Sequence, residues 1–247
     1  MNNHIHLDLN EEEVSGISGF LGYGQPERSV WFVGLEEGLG KSTDTEAREN
    51  LRPRSRFQRV MDLRDAHLTL KENQAPIDIE TKATFTAVWI YVAKIMLAVE
   101  GHKDWSSGSK NRKEILESAK DYVRFKLGRR VGCTFLSELS PIPTKRSADL
   151  DWMRAFQRVD SNLGDKIERR KSEIKHLLKA SEPSRVICYG KRATEFASLL
   201  GIEWHSINDQ ISSSNDGKCL LLPFFGNGQM SHSVIGALVR YGLLQDG

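Results

Sequence analysis

The chain alternates short apolar runs with longer amphipathic stretches. Four runs carry strand signals: residues 29–34 (SVWFVG), 133–136 with their flanks (GCTFLSEL), 185–190 (RVICYG) and 218–224 (KCLLLPF), and residues 203–207 give a weaker one. The first three are nearly continuous in apolar residues, as expected of strands covered on both faces in a parallel sheet. Helical spacing lies between them. Residues 81–101 place Phe85, Val88, Trp89, Val92, Ile95, Met96 and Val99 at three- and four-residue intervals. Residues 110–127, 163–180, 191–200 and 231–244 read as further helices, with Gly101, Gly128 and Gly201 as stops and Ser231 or its neighbour as an N-cap.

This alternation predicts an α/β fold: three layers, α/β/α, around a central, mostly parallel four-stranded sheet. Residues 1–28, with Gly16, Gly19, Gly22 and Gly24, read as an irregular lead-in, and residues 29–247 as one α/β domain. Residues 211–217 (ISSSNDG) read as a polar turn. In such sheets functional groups collect at the C-terminal ends of the strands. The informative loops are therefore those after Val33, Leu136, Tyr189 and Leu222.

Composition narrows the function classes. The chain has 247 residues, 35 Lys+Arg against 33 Asp+Glu and a formal net charge of +2, so a nucleic-acid site has to come from local clustering of charge. The 3 cysteines, Cys133, Cys188 and Cys219, form no CxxC pair and fall short of the four ligands of a cysteine-only iron–sulfur cluster. All sit in apolar runs, where a small buried hydrophobe is the expectation. The lack of a disulfide framework points to a reducing compartment. The polar, acidic start is unlike a signal peptide, and no apolar run reaches the ~18–20 residues of a membrane span. The expectation is a soluble, monomeric, cytoplasmic protein.

Four loops carry candidate chemistry. Residues 34–42 (GLEEGLGKS) end like a phosphate-binding loop, but Leu35 stands where that motif needs glycine, and two carboxylates occupy the phosphate cradle. Glu36 and Glu37 instead leave a buried strand between glycines; a carboxylate fixed there can orient a water or stabilise a developing cation, the plainer alternative being an exposed acid pair in a turn. Arg52, Arg54, Arg56 and Arg59 surround Phe57, which suits phosphate contacts plus one stacking surface or, more simply, a solvated helix face. Ser137 and Glu138 end the second strand, before a proline-stiffened loop carrying Lys145 and Arg146. A glutamate there would accept from a cytosine-type amino group. The last loop, residues 224–232 (FFGNGQMSH), opens a helix whose N–H groups suit a phosphate, with Met230 as an apolar wedge between bases.

Taken together, these loops resemble those of the uracil-DNA glycosylase superfamily, in order and spacing, over residues 29–245. Gly34-Leu35-Glu36-Glu37-Gly38 matches the loop that holds the water-activating residue. Arg56-Phe57 matches the segment whose aromatic stacks on the extruded base. Ser137-Glu138 matches the base-reading strand end, and residues 225–230 the loop that pinches the backbone and wedges the duplex. The resemblance implies a monofunctional DNA glycosylase that flips a base, hydrolyses its N-glycosidic bond and leaves an abasic site. It implies Glu36, or in its place Glu37, as the catalytic carboxylate, and Gly34, Phe57, Ser137, Glu138 and Asn227 as base contacts. Lys41, Arg52, Arg54, Arg56, Lys145, Arg146, Gln229, Met230 and His232 would contact DNA, expected to be double-stranded. No metal or organic cofactor is implied.

The chain departs from the family pattern in ways that bear on substrate. Glu37 stands where the first loop has proline, the last loop lacks the family's histidine, and Glu138 replaces the base-reading asparagine. A carboxylate repels a uracil carbonyl and welcomes an exocyclic amino group. The expected base is therefore a modified one, such as a modified cytosine of phage DNA, in a repair or defence setting. Two other readings stand beside this one: a non-catalytic module of the same fold that binds modified DNA or nucleotide, and a nucleotide-handling enzyme of another α/β family.

Overall fold

A computed structural model of the chain describes residues 7–27, 29–38, 49, 51–70, 78–102, 112–144, 150–190, 192–226 and 228–244. The strands are β1 (Gly22–Gly24), β2 (Val30–Gly38), β3 (Val60–Met61), β4 (Thr134–Thr144), β5 (Arg185–Tyr189), β6 (His205–Asn208), β7 (Ile211–Ser213) and β8 (Cys219–Leu222). The helices are α1 (Glu11–Gly19), α2 (Leu51–Arg54), α3 (Leu63–Thr69), α4 (Ala87–Val99), α5 (Arg112–Phe125), α6 (Leu150–Val159), α7 (Leu163–Ser181), α8 (Ala193–Leu200) and α9 (His232–Arg240), with a 3-10 turn at Ile79–Thr81.

The strands form one sheet in the order β3-β1-β4-β2-β5-β8-β7-β6. Its centre, β4-β2-β5-β8, is parallel throughout and consists of the strands expected from the apolar runs. The sheet is larger than the expected four-stranded one because short edge strands add to both sides. β1 runs antiparallel to β4 and parallel to β3, and β7 runs antiparallel to both β8 and β6. Residues 211–213 are therefore a strand rather than part of a polar turn. β6 overlaps the weaker signal at residues 203–207, whereas β1, β3 and β7 are too short to leave an apolar period in the sequence.

Side chains of the central strands alternate between two cores. Phe32, Ile187, Tyr189, Leu220 and Leu222 pack under α4, α5 and α9; Trp31, Val33, Phe135, Val186 and Cys188 pack under α7 and α8. Burial on both faces explains why every residue of β5 is buried.

The lead-in is not irregular. Asn10 accepts from the Glu13 N–H and the Glu13 carboxylate accepts from the Asn10 N–H, both at 2.9 Å, a reciprocal cap that starts α1. Val14 and Ile17 of α1 join Leu51, Ile142, Trp152 and Phe156 in a smaller core. Of the cysteines, only Cys188 is fully buried; Cys219 is half-buried and Cys133 is exposed at a turn. Among the described residues, no helix is long and apolar enough to cross a membrane.

Candidate functional site

β2 and β4 both run further than their apolar residues suggest. β2 continues through Glu36 and Glu37 to Gly38, and β4 continues through both prolines to Thr144. The ladder pairs Gly34 with Glu138 and Glu36 with Ser140, then shifts register before Gly38 meets Thr144. The backbone of the acidic pair therefore extends a strand at the C-terminal edge beside Glu138, where a loop was expected. The side chains of Glu36 and Glu37 lie outside the described residues, as do Lys41, Lys145, Arg146 and Asn227.

One row across this edge is built around a missing side chain. Gly34 on β2 lies between Glu138 on β4 and Tyr189 at the end of β5, since Val33 pairs with Cys188 one step earlier. The Tyr189 hydroxyl donates to Glu138 Oε1 at 2.9 Å, above Gly34. A Cβ on Gly34 would lie 2.0 Å from Glu138 Oε2 and 2.7 Å from the Tyr189 oxygen. Only glycine leaves room for this contact. The Tyr189 ring is held in turn by Phe225, stacked at 4.4 Å with 12° between planes, and by Phe224 at 6.5 Å.

The backbone at Glu138 is fixed from the opposite face. Arg170 of α7 donates to the Glu138 carbonyl through Nε at 3.2 Å and Nη2 at 2.9 Å. Burial pushes the Arg170 guanidinium down to about 10. Ser137 points to the same side, is 2% exposed and donates to the Leu21 carbonyl at 2.7 Å. It splices β4 to the segment entering β1 and does not read a base edge. Strand alternation sends Ser137 and Glu138 to opposite faces, so only Glu138 reaches this site.

Other expected contacts lie elsewhere. Phe57 is 8% exposed and packs against Phe20 and Tyr23, with the Arg54 guanidinium 5.9 Å from its ring centre. Its faces are taken up by its own small core, not presented for stacking. Arg54 is itself buried, and Arg52 is ion-paired to Asp8 and Glu13, tying α2 to α1. These two arginines brace the fold; Arg56, like Arg52, is exposed. Met230 is 2% exposed within the large core and is no wedge. Gln229 is half-buried, its N–H closing a turn onto the Gly226 carbonyl. His232 opens α9, and its Nε2 lies 2.9 Å from Lys94 Nζ. Ser231 is the N-cap residue of α9, but its hydroxyl bonds Ser233 at 2.7 Å and makes no capping bond.

Sequence reasoning missed Tyr189, Arg170 and Lys94. Lys94 left a signal: it is the single charged residue of α4, AVWIYVAKIMLAV, whose remaining residues are almost all apolar. A cleft of about 310 Å³ opens between α7 and α8, lined in part by Leu139, Lys171, Lys175 and Glu195; none of the expected site residues lines it. Among the described residues no cluster of His, Cys, Asp and Glu could hold a metal ion.

Fold and site together define an α/β protein with an acidic residue seated over a glycine at the C-terminal edge of a parallel sheet. No protein-family model, curated protein or solved structure matches the chain.

Proposed function

We propose that the chain is a DNA glycosylase of uracil-DNA glycosylase-like architecture that releases a modified base bearing an exocyclic amino group. The observation carrying this reading is the Glu138–Gly34–Tyr189 row, with the Glu36–Glu37 strand extension paired beside it. An ionised carboxylate has about four lone-pair positions, and the Tyr189 hydroxyl uses one. Such a carboxylate suits an amino group on a base edge, and Tyr189 holds it in place to receive one.

In this reading the target nucleotide leaves the stack and its base enters beside Glu138. The bond between C1′ and the base nitrogen breaks, its electron pair leaving with the base, and water adds to C1′ to give an abasic sugar. Glu36 or Glu37 stabilises the positive charge growing on the sugar or orients the water. Arg56, Lys41, Lys145, Arg146 and Gln229 contact the DNA backbone, and Asn227 donates to the departing base or to a phosphate.

The test is mass spectrometry of bases released from unmodified, uracil-containing and modified-cytosine DNAs. Release of one amino-bearing base, lost in a Glu36→Ala/Glu37→Ala double variant, supports the reading. DNA binding without release from any of these substrates would assign a non-catalytic module instead. Turnover of free mononucleotides would assign the nucleotide-handling alternative.

A further inference from the structure

A second polar cluster lies on the same face of the sheet. Lys94 projects from α4 and is 6% exposed, inside a large apolar core. Its Nζ lies 2.9 Å from His232 Nε2 and 4.9 Å from the centre of the Tyr91 ring. Burial lowers the Lys94 pKa, and the charge of Arg112 at the start of α5 lowers it further. Burial likewise lowers that of His232, with Lys94 and then Arg112 adding to the effect. Among the described residues, no carboxylate forms an ion pair or hydrogen bond with Lys94.

Buried charges in folded proteins are paired. Here an ammonium, an imidazole and an arginine lie close together, and both burial and the like charge of Arg112 disfavour the charge on Lys94. The first turn of α9 adds N–H groups that the Ser231 hydroxyl does not cap. Each of these features favours a negative charge.

We propose that Lys94, His232 and the first turn of α9 form a binding subsite for a phosphate group, with Arg112 as an outer positive charge. The ammonium donates to His232 Nε2 when the subsite is empty, which requires the imidazole proton to sit on Nδ1. A phosphate oxygen entering beside them accepts from Lys94 and from the helix N–H groups. Its charge favours the imidazolium, so His232 gains a proton on binding and becomes a donor. Among the described residues, the cationic groups acting on His232 are Lys94 on α4, which itself faces the Tyr91 ring, and Arg112 on α5.

The inference extends the base-release reading, which names DNA as ligand. It is measured on phosphate alone, with Glu138, Glu36 and Glu37 intact, so the two readings fail separately. The experiment follows the His232 ring signals by NMR in the full chain, titrated with inorganic phosphate, a deoxynucleoside monophosphate and a short DNA duplex. Saturable shifts with a raised His232 pKa, and at least about tenfold weaker binding in Lys94→Met but not in Lys94→Arg, uphold the subsite. Should Lys94→Met fail to fold, His232→Gln read by calorimetry gives the same comparison. Tighter binding of duplex than of phosphate assigns a phosphodiester, and tighter binding of the monophosphate assigns a phosphomonoester. Unmoved His232 signals with all three ligands, or equal affinity in wild type and Lys94→Met, overturn it.

Discussion

The carboxylate of Glu138 and the hydroxyl of Tyr189, on strands that are not neighbours, meet at 2.9 Å across the place where Gly34 lacks a side chain. The contact spans β2 from β4 to β5, and the stacked ring of Phe225 keeps Tyr189 in place beneath it.

Gly34→Ala should therefore damage the site out of proportion to its size. The new methyl group would sit 2.0 Å from a carboxylate oxygen, so Glu138 has to swing away. Overpacking of this kind costs about 1–3 kcal/mol, read from the denaturant midpoint. Base release should fall further than the fraction unfolded explains. A variant with wild-type stability and wild-type release would show that the close approach has no role.

Ser137→Ala should behave in the opposite way. The Leu21 carbonyl loses its buried donor, at a cost of about 1–3 kcal/mol. The lower part of that range is expected, because Arg170 Nη2 also reaches this carbonyl at 3.5 Å. Release per folded molecule should be unchanged. A specific loss of activity without loss of stability would restore Ser137 as a base contact.

Phe57→Ala should act as a core truncation, costing about 3–5 kcal/mol. Phe57→Leu, which keeps most of the buried volume beside Phe20 and Tyr23, should recover most of the stability and the activity together. An activity deficit in a fully stable Phe57→Leu would indicate that the ring stacks on substrate after all.

Acid should weaken the fold through the carboxylates around α3. Arg64 hydrogen-bonds Asp78 and holds its carboxyl below the usual range. Burial opposes the charge on Asp62, but the N–H groups of Arg130 and Arg64 and the side chain of Arg129 outweigh it and also hold that carboxyl low. The folded carboxyls take up protons less readily than the unfolded ones. Their contribution is full above about pH 4, the ordinary carboxylate value, and is lost as pH falls through the lower folded values. Asp62→Asn should be less stable at neutral pH and show a shallower loss below about pH 4 in urea titrations. An unchanged acid slope would exclude Asp62 as a contributor.

Much of this architecture was written in the apolar pattern. β2, β4, β5 and β8 arise from the four apolar runs, the first three nearly continuous as expected of strands covered on both faces, and α7 and α8 start and stop within two residues of their expected limits. α6 was not among the expected helices, although Trp152, Ala155, Phe156 and Val159 follow helical spacing and join the smaller core. Of the edge strands only β6 was legible, as the weaker signal at residues 203–207; β1, β3 and β7 are defined by the ladder they join. At the site, Gly34 and Glu138 were legible as a strand end with unusual chemistry. Their relation to Tyr189 was not, because it depends on which strand lies on the far side of β2. Phe57, Arg54 and Met230 misled for one shared reason. Sequence shows that a residue has the chemistry to bind DNA, but not that a neighbouring helix or ring has already covered it.

The most direct measurement is the single-turnover rate of base release by Glu138→Gln on the best-cleaved DNA. The amide keeps the shape of the carboxylate but loses its charge and offers a donor where an acceptor is needed. The expected result is a fall of roughly 100-fold or more with the thermal midpoint little changed. A Glu138→Gln protein that releases the base at the wild-type rate would contradict the assignment of this edge as the place where the base is held.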